Sequence, residues 1–127
     1  MHSMTSGNAT VELLDLVRAL LQGDALTARQ WVADAYRAGV DWSGVPRPVG
    51  LMEAEMAVAA GIVELLAQRA NQPAPAWAAN VPPALEPVFL VRAAMTLPRL
   101  RRLCEEEGPE PLRKRKILAP PDFLTAA

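Results

Sequence analysis

The stretch at residues 51–70, LMEAEMAVAAGIVELLAQRA, constrains the fold more than any other part of the chain. It holds no proline, and every residue from 56 to 63 is apolar or glycine. Alanine, leucine, methionine and glutamate all favour the helix. A helix that is apolar over about two turns must be buried on more than one side. The sequence therefore predicts a central helix at 51–70, with the other segments packed around it.

The composition fits an all-α domain built around that helix. The 127 residues suffice for one domain with one core. Aromatic residues make up only 5% of the chain, whereas β-sheets favour aromatic and β-branched side chains. The twelve prolines fall between the apolar segments, where they separate helices. We predict a compact bundle of about five helices with Pro-rich loops.

Four further helices follow from apolar spacing and from the residues that end helices. Residues 11–22 and 25–38 are joined by Gly23 and Asp24, which predicts an antiparallel hairpin. Pro87 is placed to begin a helix at 87–95, and a last helix is predicted at 97–107. Trp42 and Trp77 lie in the Pro-rich connections and are expected to pack onto the helices.

The two ends of the chain differ from the middle and from each other. We predict a disordered N-terminus at 1–9, a helical domain at 10–108 and an extended, Pro-rich basic tail at 109–127. Residues 1–86 carry five basic and nine acidic side chains, whereas residues 87–127 carry eight basic and five acidic ones. The tail is expected either to cover the domain as an ordered strap or to become ordered on a partner.

The residues that most enzymes need are scarce in this sequence. His2 is the only histidine, which removes Ser-His and Cys-His nucleophile systems and the common zinc sites. Cys104 precedes three glutamates, whose charge raises the pKa of a thiol and makes it a poor nucleophile. No Gly-rich phosphate loop occurs. We therefore predict no catalytic residue, no metal ligand and no cofactor, and a protein that is not an enzyme.

Charge and cysteine content also bear on location. The net charge is −1, so no overall field attracts the chain to nucleic acid or membrane. The apolar stretch at 51–70 contains Glu53, Glu55 and Glu64, too many charges for a bilayer span. One cysteine permits no internal disulfide, and the N-terminus lacks a signal-peptide pattern. We predict a cytoplasmic protein without membrane contact.

The basic C-terminal third contains the candidate partner-binding residues. The helix at 97–107 begins with arginines and ends with glutamates, an order that opposes its macrodipole. The run at 113–116 is basic and is flanked by apolar side chains that can act as buried anchors. The predicted partner-binding residues are Arg99, Arg101, Arg102, Arg113, Lys114, Arg115, Lys116, Ile117, Leu118 and Phe123.

Two segments also resemble a known group of proteins. The segments RQWVADAYRAGVDW and EPVFLVRAAMTLPRLRRLCEEEGPEPLRKRKILAPPDFL are similar to small bacterial proteins whose genes neighbour a nucleotidyltransferase-like toxin gene. The resemblance implies an antitoxin that inhibits such a toxin. Because nucleotidyltransferase sites hold carboxylates for divalent metal, the basic tail would fit such a site by charge complementarity. The resemblance includes no defined binding motif and assigns no residue.

The main functional prediction is therefore a non-enzymatic protein-interaction module, and three alternatives are considered beside it. A nucleic-acid-associated protein would use Arg99, Arg101, Arg102 and the run at 113–116, and its binding would weaken steeply with salt. A small-ligand-binding domain would require tryptophans such as Trp31 to line a pocket. A homodimer is a further option, since the central helix is apolar enough to serve two cores.

Overall fold

The computed structural model describes residues 6–125, with side chains from Leu13 onward, and this part of the chain is mostly helical. The all-α class is thereby confirmed. Of the N-terminal segment predicted to be disordered, residues 1–5 lie outside the described residues, whereas residues 6–9 belong to the first helix, which corrects that part of the prediction. The helices are α1 Ser6–Gln22, α2 Ala25–Ala38, α3 Glu53–Arg69, α4 Pro98–Glu107 and α5 Glu110–Arg113. Three short 3-10 turns and two short strands, β1 Val88–Phe89 and β2 Ile117–Leu118, complete the fold.

Helices α1 and α2 pack against each other as a hairpin. Gly23 joins them with φ +76°, a conformation that glycine adopts without steric cost. The Asp24 side chain accepts a hydrogen bond from the Thr27 backbone N–H at 3.1 Å and caps α2. Gly39 ends α2 in the left-handed conformation. Local sequence signals therefore account for both ends of α2.

Helix α3 is the most deeply buried helix of the described chain. Every residue from Met56 to Val63 is buried, and so are Leu65, Leu66 and Ala67. The helix contacts α1, α5, β2 and the 3-10 turns at Trp42–Gly44 and Ala76–Asn80. Among the described residues, no helix combines the length and apolar character that crossing a bilayer requires.

The two Pro-rich connections are fastened to the helices by aromatic side chains. Trp42 is buried, and its ring centroid lies 6.2 Å from that of Trp31 and 6.0 Å from that of Tyr36. The Trp77 indole Nε1 donates a hydrogen bond to the Val45 carbonyl at 2.8 Å. This bond joins the second connection directly to the first.

The predicted helix at 87–95 is wrong. Residues Val88–Phe89 form strand β1, and a 3-10 turn follows at Arg92–Met95. Strand β1 pairs in parallel with β2, with Val88 opposite Ile117 and Phe89 opposite Leu118. A run of β-branched and aromatic residues accepts either conformation locally, and a partner strand from elsewhere in the chain decides the outcome.

The predicted extended tail at 109–127 is also wrong for the residues that the structure describes. Residues 109–125 contain α5 and β2, and Leu112, Ile117, Ala119 and Leu124 are buried in the main core. Leu112 packs onto Gly61 of α3, where an added Cβ would lie 2.8 Å from Leu112 Cδ2. The apolar residues on both sides of the basic run belong to the same core as the helices, so no domain boundary falls at 108.

Candidate interaction surface

The ten predicted partner-binding residues separate into two exposed groups and one enclosed group. Arg99, Arg101 and Arg102 are exposed on α4. Exposed side chains near α5 and β2 form the second group, which consists of Arg113, Lys114 and Lys116. Arg115, Ile117 and Leu118 are buried, and Phe123 is half-buried. The structure therefore leaves six of the ten on the surface.

Helix α4 is held in place by one apolar side. Cys104 is completely buried in a small cluster with Ala94 and Leu118, against which Phe89 and Leu100 also pack. Burial raises the pKa of the Cys104 thiol, and the charge of Glu105 raises it further. Cys104 thus serves packing, and its thiol is unsuited to nucleophilic chemistry.

A neighbouring side of α4 forms a shallow exposed concavity of about 260 Å³. We call it the α4 face; it is lined by Pro98, Arg99, Arg102, Leu103, Glu106 and Glu107. Residues 99, 102, 103 and 106 recur at intervals of three and four, so they share one side of the helix. The half-buried Leu103 contributes apolar surface between the charges.

The charges of α4 are partly paired within the helix. Arg101 Nε lies 3.2 Å from Glu105 Oε2, and Arg102 Nε lies 3.9 Å from Glu106 Oε2. The Arg101 guanidinium also stands over the Phe89 ring, 5.2 Å from its centroid. Exposed pairs of this kind contribute little to stability, about 0.2–1 kcal/mol at most. Arg101 and Arg102 can therefore leave these glutamates and pair with carboxylates of another molecule.

Arg113 extends the α4 face toward α5. Its Nη1 donates a hydrogen bond to the Glu106 carbonyl near the C-terminal end of α4. A cation at this end of a helix satisfies a carbonyl that has no partner within the helix and complements the helix dipole. Lys114 and Lys116 instead interact with other parts of the fold. Lys114 forms an ion pair with Glu64, and Lys116 donates a hydrogen bond to the Leu85 carbonyl.

The prediction that Arg115 binds a partner is wrong, because its guanidinium is buried within the protein itself. Arg115 is only 3% exposed. Its Nη1 and Nη2 donate to the Glu64 carboxylate at 2.5 and 3.2 Å. Nη2 also donates to the Ala78 carbonyl at 2.6 Å, and Nη1 to the Pro111 carbonyl at 3.2 Å. Buried charges persist in proteins when they are paired in this manner.

Burial of Glu64 raises the pKa of its carboxyl, but the hydrogen bonds and charges of Arg115 and Lys114 more than offset this effect. The net result is a lowered Glu64 pKa. A sequence signal for this pair did exist, because Glu64 is the one charge between 56 and 68 in an otherwise apolar or amide-bearing helix. A carboxylate in such a helix needs a cationic partner, but the spacing of residues in the sequence does not show which cation that is.

The prediction that Ile117 and Leu118 bind a partner is likewise wrong, because both residues of strand β2 are buried in the protein interior. Phe123 packs against the main core, and its carbonyl accepts a hydrogen bond from Arg69 Nη1 at 2.6 Å. These three side chains stabilise the fold and are not exposed anchors for a partner.

Within the described residues, no group of three or more histidine, cysteine, aspartate or glutamate side chains is placed to hold a metal ion. The chain was also compared with family models, curated proteins and solved structures, and none of the three comparisons found a match.

Proposed function

We propose that this chain is a non-enzymatic protein-interaction module, an antitoxin-like inhibitor that docks on a partner enzyme through the α4 face. The observation that carries the proposal is the asymmetry of α4. One side is anchored in a buried apolar cluster, and a neighbouring side presents arginine, leucine and glutamate side chains at helical spacing. A rigid helix with an exposed mixed face suits recognition by another protein.

The chemistry of the α4 face supports a partner with exposed carboxylates beside an apolar pocket. Arg99 makes no ion pair among the described residues, and Arg102 has only a weak exposed one. Arginine forms bidentate pairs with carboxylates, and Leu103 can enter an apolar pocket between them. A nucleotidyltransferase-like toxin, with carboxylates for divalent metal, would offer such a surface.

Nucleic acid is the less favoured partner. Glu105, Glu106 and Glu107 are exposed on the same helix as the arginines and would repel phosphates. Burial of Arg115 removes one member of the basic run, and Lys114 is paired with Glu64 at 3.2 Å. The proposal places the protein in the cytoplasm, with a homodimer as the alternative assembly.

The test is site-specific photo-crosslinking in cells of the source organism. A photoreactive residue replaces Glu107 at the edge of the α4 face, and a second variant carries it at the exposed Arg37 of α2. The proposal expects one protein to be captured from Glu107 and not from Arg37. The captured enzyme should lose activity when the purified chain is added. Capture of nucleic acid at Glu107, or equal capture at both positions, would overturn it.

A charge-reversal pair makes the test sharper. Arg102 and Arg37 both form exposed ion pairs within their helices, Arg102 with Glu106 and Arg37 with Asp34. Arg102→Glu should weaken binding of the captured enzyme about tenfold or more, whereas Arg37→Glu should leave it unchanged. Equal affinities of the two variants would exclude the α4 face as the docking surface.

A further inference from the structure

A second concave region lies away from the α4 face, where α1 meets α2. This cleft has a volume of about 600 Å³. Its walls come from the end of α1, the start of α2, residues 90–92 and residues 120–125. Small-molecule sites in proteins usually occupy about 300–1,000 Å³, so the cleft has the size of a ligand site.

The floor of the cleft is apolar and firmly packed. Leu20, Leu90 and Leu124 are each 5% exposed or less, and the half-buried Phe123 adds an aromatic surface. No tryptophan is among the described residues that line the cleft, so it is not the tryptophan-lined pocket that the small-ligand alternative required. An aliphatic or aromatic body would rest on this floor and lose contact with water.

The walls are tied to the rest of the fold by arginine side chains. Arg92 Nη2 donates to the Gln22 carbonyl at 3.0 Å, and a Cβ at Gly23 would lie 3.2 Å from Arg92 Nε. On the other side of the cleft, Arg69 Nη1 donates a hydrogen bond to the Phe123 carbonyl at 2.6 Å. These contacts join segments distant in sequence and form the cleft before any ligand arrives.

Two arginines, Arg29 and Arg92, and two aspartates, Asp24 and Asp122, line the cleft, so their formal charges balance. Asp24 already caps α2, and the hydrogen bonds from Thr27 lower the pKa of its carboxyl. Burial lowers the pKa of the Arg69 guanidinium, and the charges of Tyr36 and Asp122 partly oppose this effect. By contrast, Arg29 has no hydrogen bond or ion pair with any other described side chain, and Arg92 uses one nitrogen on Gln22.

We propose that this cleft binds a small organic carboxylate whose apolar body lies on Leu20, Leu90 and Phe123 and whose head meets Arg29 and Arg92. The Asp24 carboxylate already occupies the positive end of α2, so the two arginines alone supply the attraction for the head. The site goes beyond the proposed docking function and does not depend on it, because the α4 face shares none of the residues that line the cleft.

The test uses octanoate as the probe on the full-length chain, followed by calorimetry and by backbone amide NMR. Octan-1-ol supplies the same body without the charge, and acetate supplies the head alone. We expect saturable octanoate binding, with amide shifts concentrated at Ala25, Leu90, Val91 and Thr125. Octan-1-ol and acetate should each bind more weakly, by about fivefold or more.

Two matched variants distinguish the contribution of the ligand carboxylate to binding from that of its apolar chain. Arg29→Gln should weaken octanoate about fivefold and leave octan-1-ol unchanged. Arg37→Gln removes an exposed arginine of the same helix outside the cleft and should change neither. The site is overturned by the absence of saturable octanoate binding up to about 10 mM, by equal affinities for octanoate and octan-1-ol, or by an unchanged Arg29→Gln variant.

Discussion

The guanidinium of Arg115 lies 2.5 Å from the carboxylate of Glu64, although the two residues are separated by 51 positions in the sequence. The pair joins α3 to the segment between α5 and β2. It also brings the Ala78 carbonyl of the second Pro-rich connection into the same network. One buried ion pair thus links three parts of the fold that local sequence patterns leave separate.

Removing one partner of this pair should destabilise the protein strongly. Arg115→Met leaves the Glu64 carboxylate enclosed without its main cation, and breaking a buried pair in this way typically costs about 3–5 kcal/mol. Denaturant unfolding followed by circular dichroism measures the change. The exposed Arg37→Met is the control, with an expected loss of about 0–1 kcal/mol. The double variant Glu64→Leu/Arg115→Met should recover most of the loss, and a double variant as unstable as the single one would contradict this account.

The same pair predicts a dependence of stability on acid. The Glu64 pKa is lowered from its ordinary value of 4.5 in the native protein, so the unfolded chain binds the proton first as pH falls. Glu64 therefore stabilises the native state above about pH 4.5, and this contribution is lost as pH falls toward the folded pKa. Unfolding free energies measured from pH 7 downward should decline less steeply in Glu64→Gln than in the wild type. Parallel curves would show that Glu64 is not responsible.

Gly108 should not tolerate a side chain, although its backbone conformation is ordinary. A Cβ there would lie 2.5 Å from the Cys104 carbonyl oxygen and 2.6 Å from that of Ala119. Both atoms belong to the backbone, so relief requires α4 to move from the strand segment. We expect Gly108→Ala to lose about 1–3 kcal/mol in denaturant unfolding. Gly44→Ala is the matched control, since its nearest neighbour would be Asp41 Oδ2 at 3.4 Å. Similar losses in both variants would rule out the steric explanation.

Deletion of residues 109–127 should prevent cooperative folding. It removes buried Leu112, Ile117 and Leu124 and leaves Glu64 without Arg115. The 1–108 fragment should show no sharp thermal transition by circular dichroism and poor dispersion of its amide NMR signals. A synthetic 109–127 peptide, added in trans, should restore part of both signals. A fragment that melts like the whole chain would support the separable tail that the sequence predicted.

Sequence patterns predicted the parts of this fold that local interactions control. Helix α2 has the expected bounds because Asp24 caps it and Gly39 ends it, and both effects act within a few residues. Helix α4 was predicted at 97–107 and is observed at Pro98–Glu107, with Gly108 directly after its end. Arg99, Arg101 and Arg102, which the sequence predicted as partner-binding residues, are exposed in the structure, because the buried residues of α4 lie on another side.

The sequence by itself determined the helical class and most helix ends, since apolar spacing, caps and glycines act over a few residues. The tertiary structure alone decided that Val88–Phe89 is a strand, because its partner Ile117–Leu118 is far along the chain. It also decided that Arg115 is internal, whereas Arg113, two residues earlier, is exposed. In a basic run, every arginine has the same local preference for water, and only the fold places Glu64, Ala78 and Pro111 around one of them.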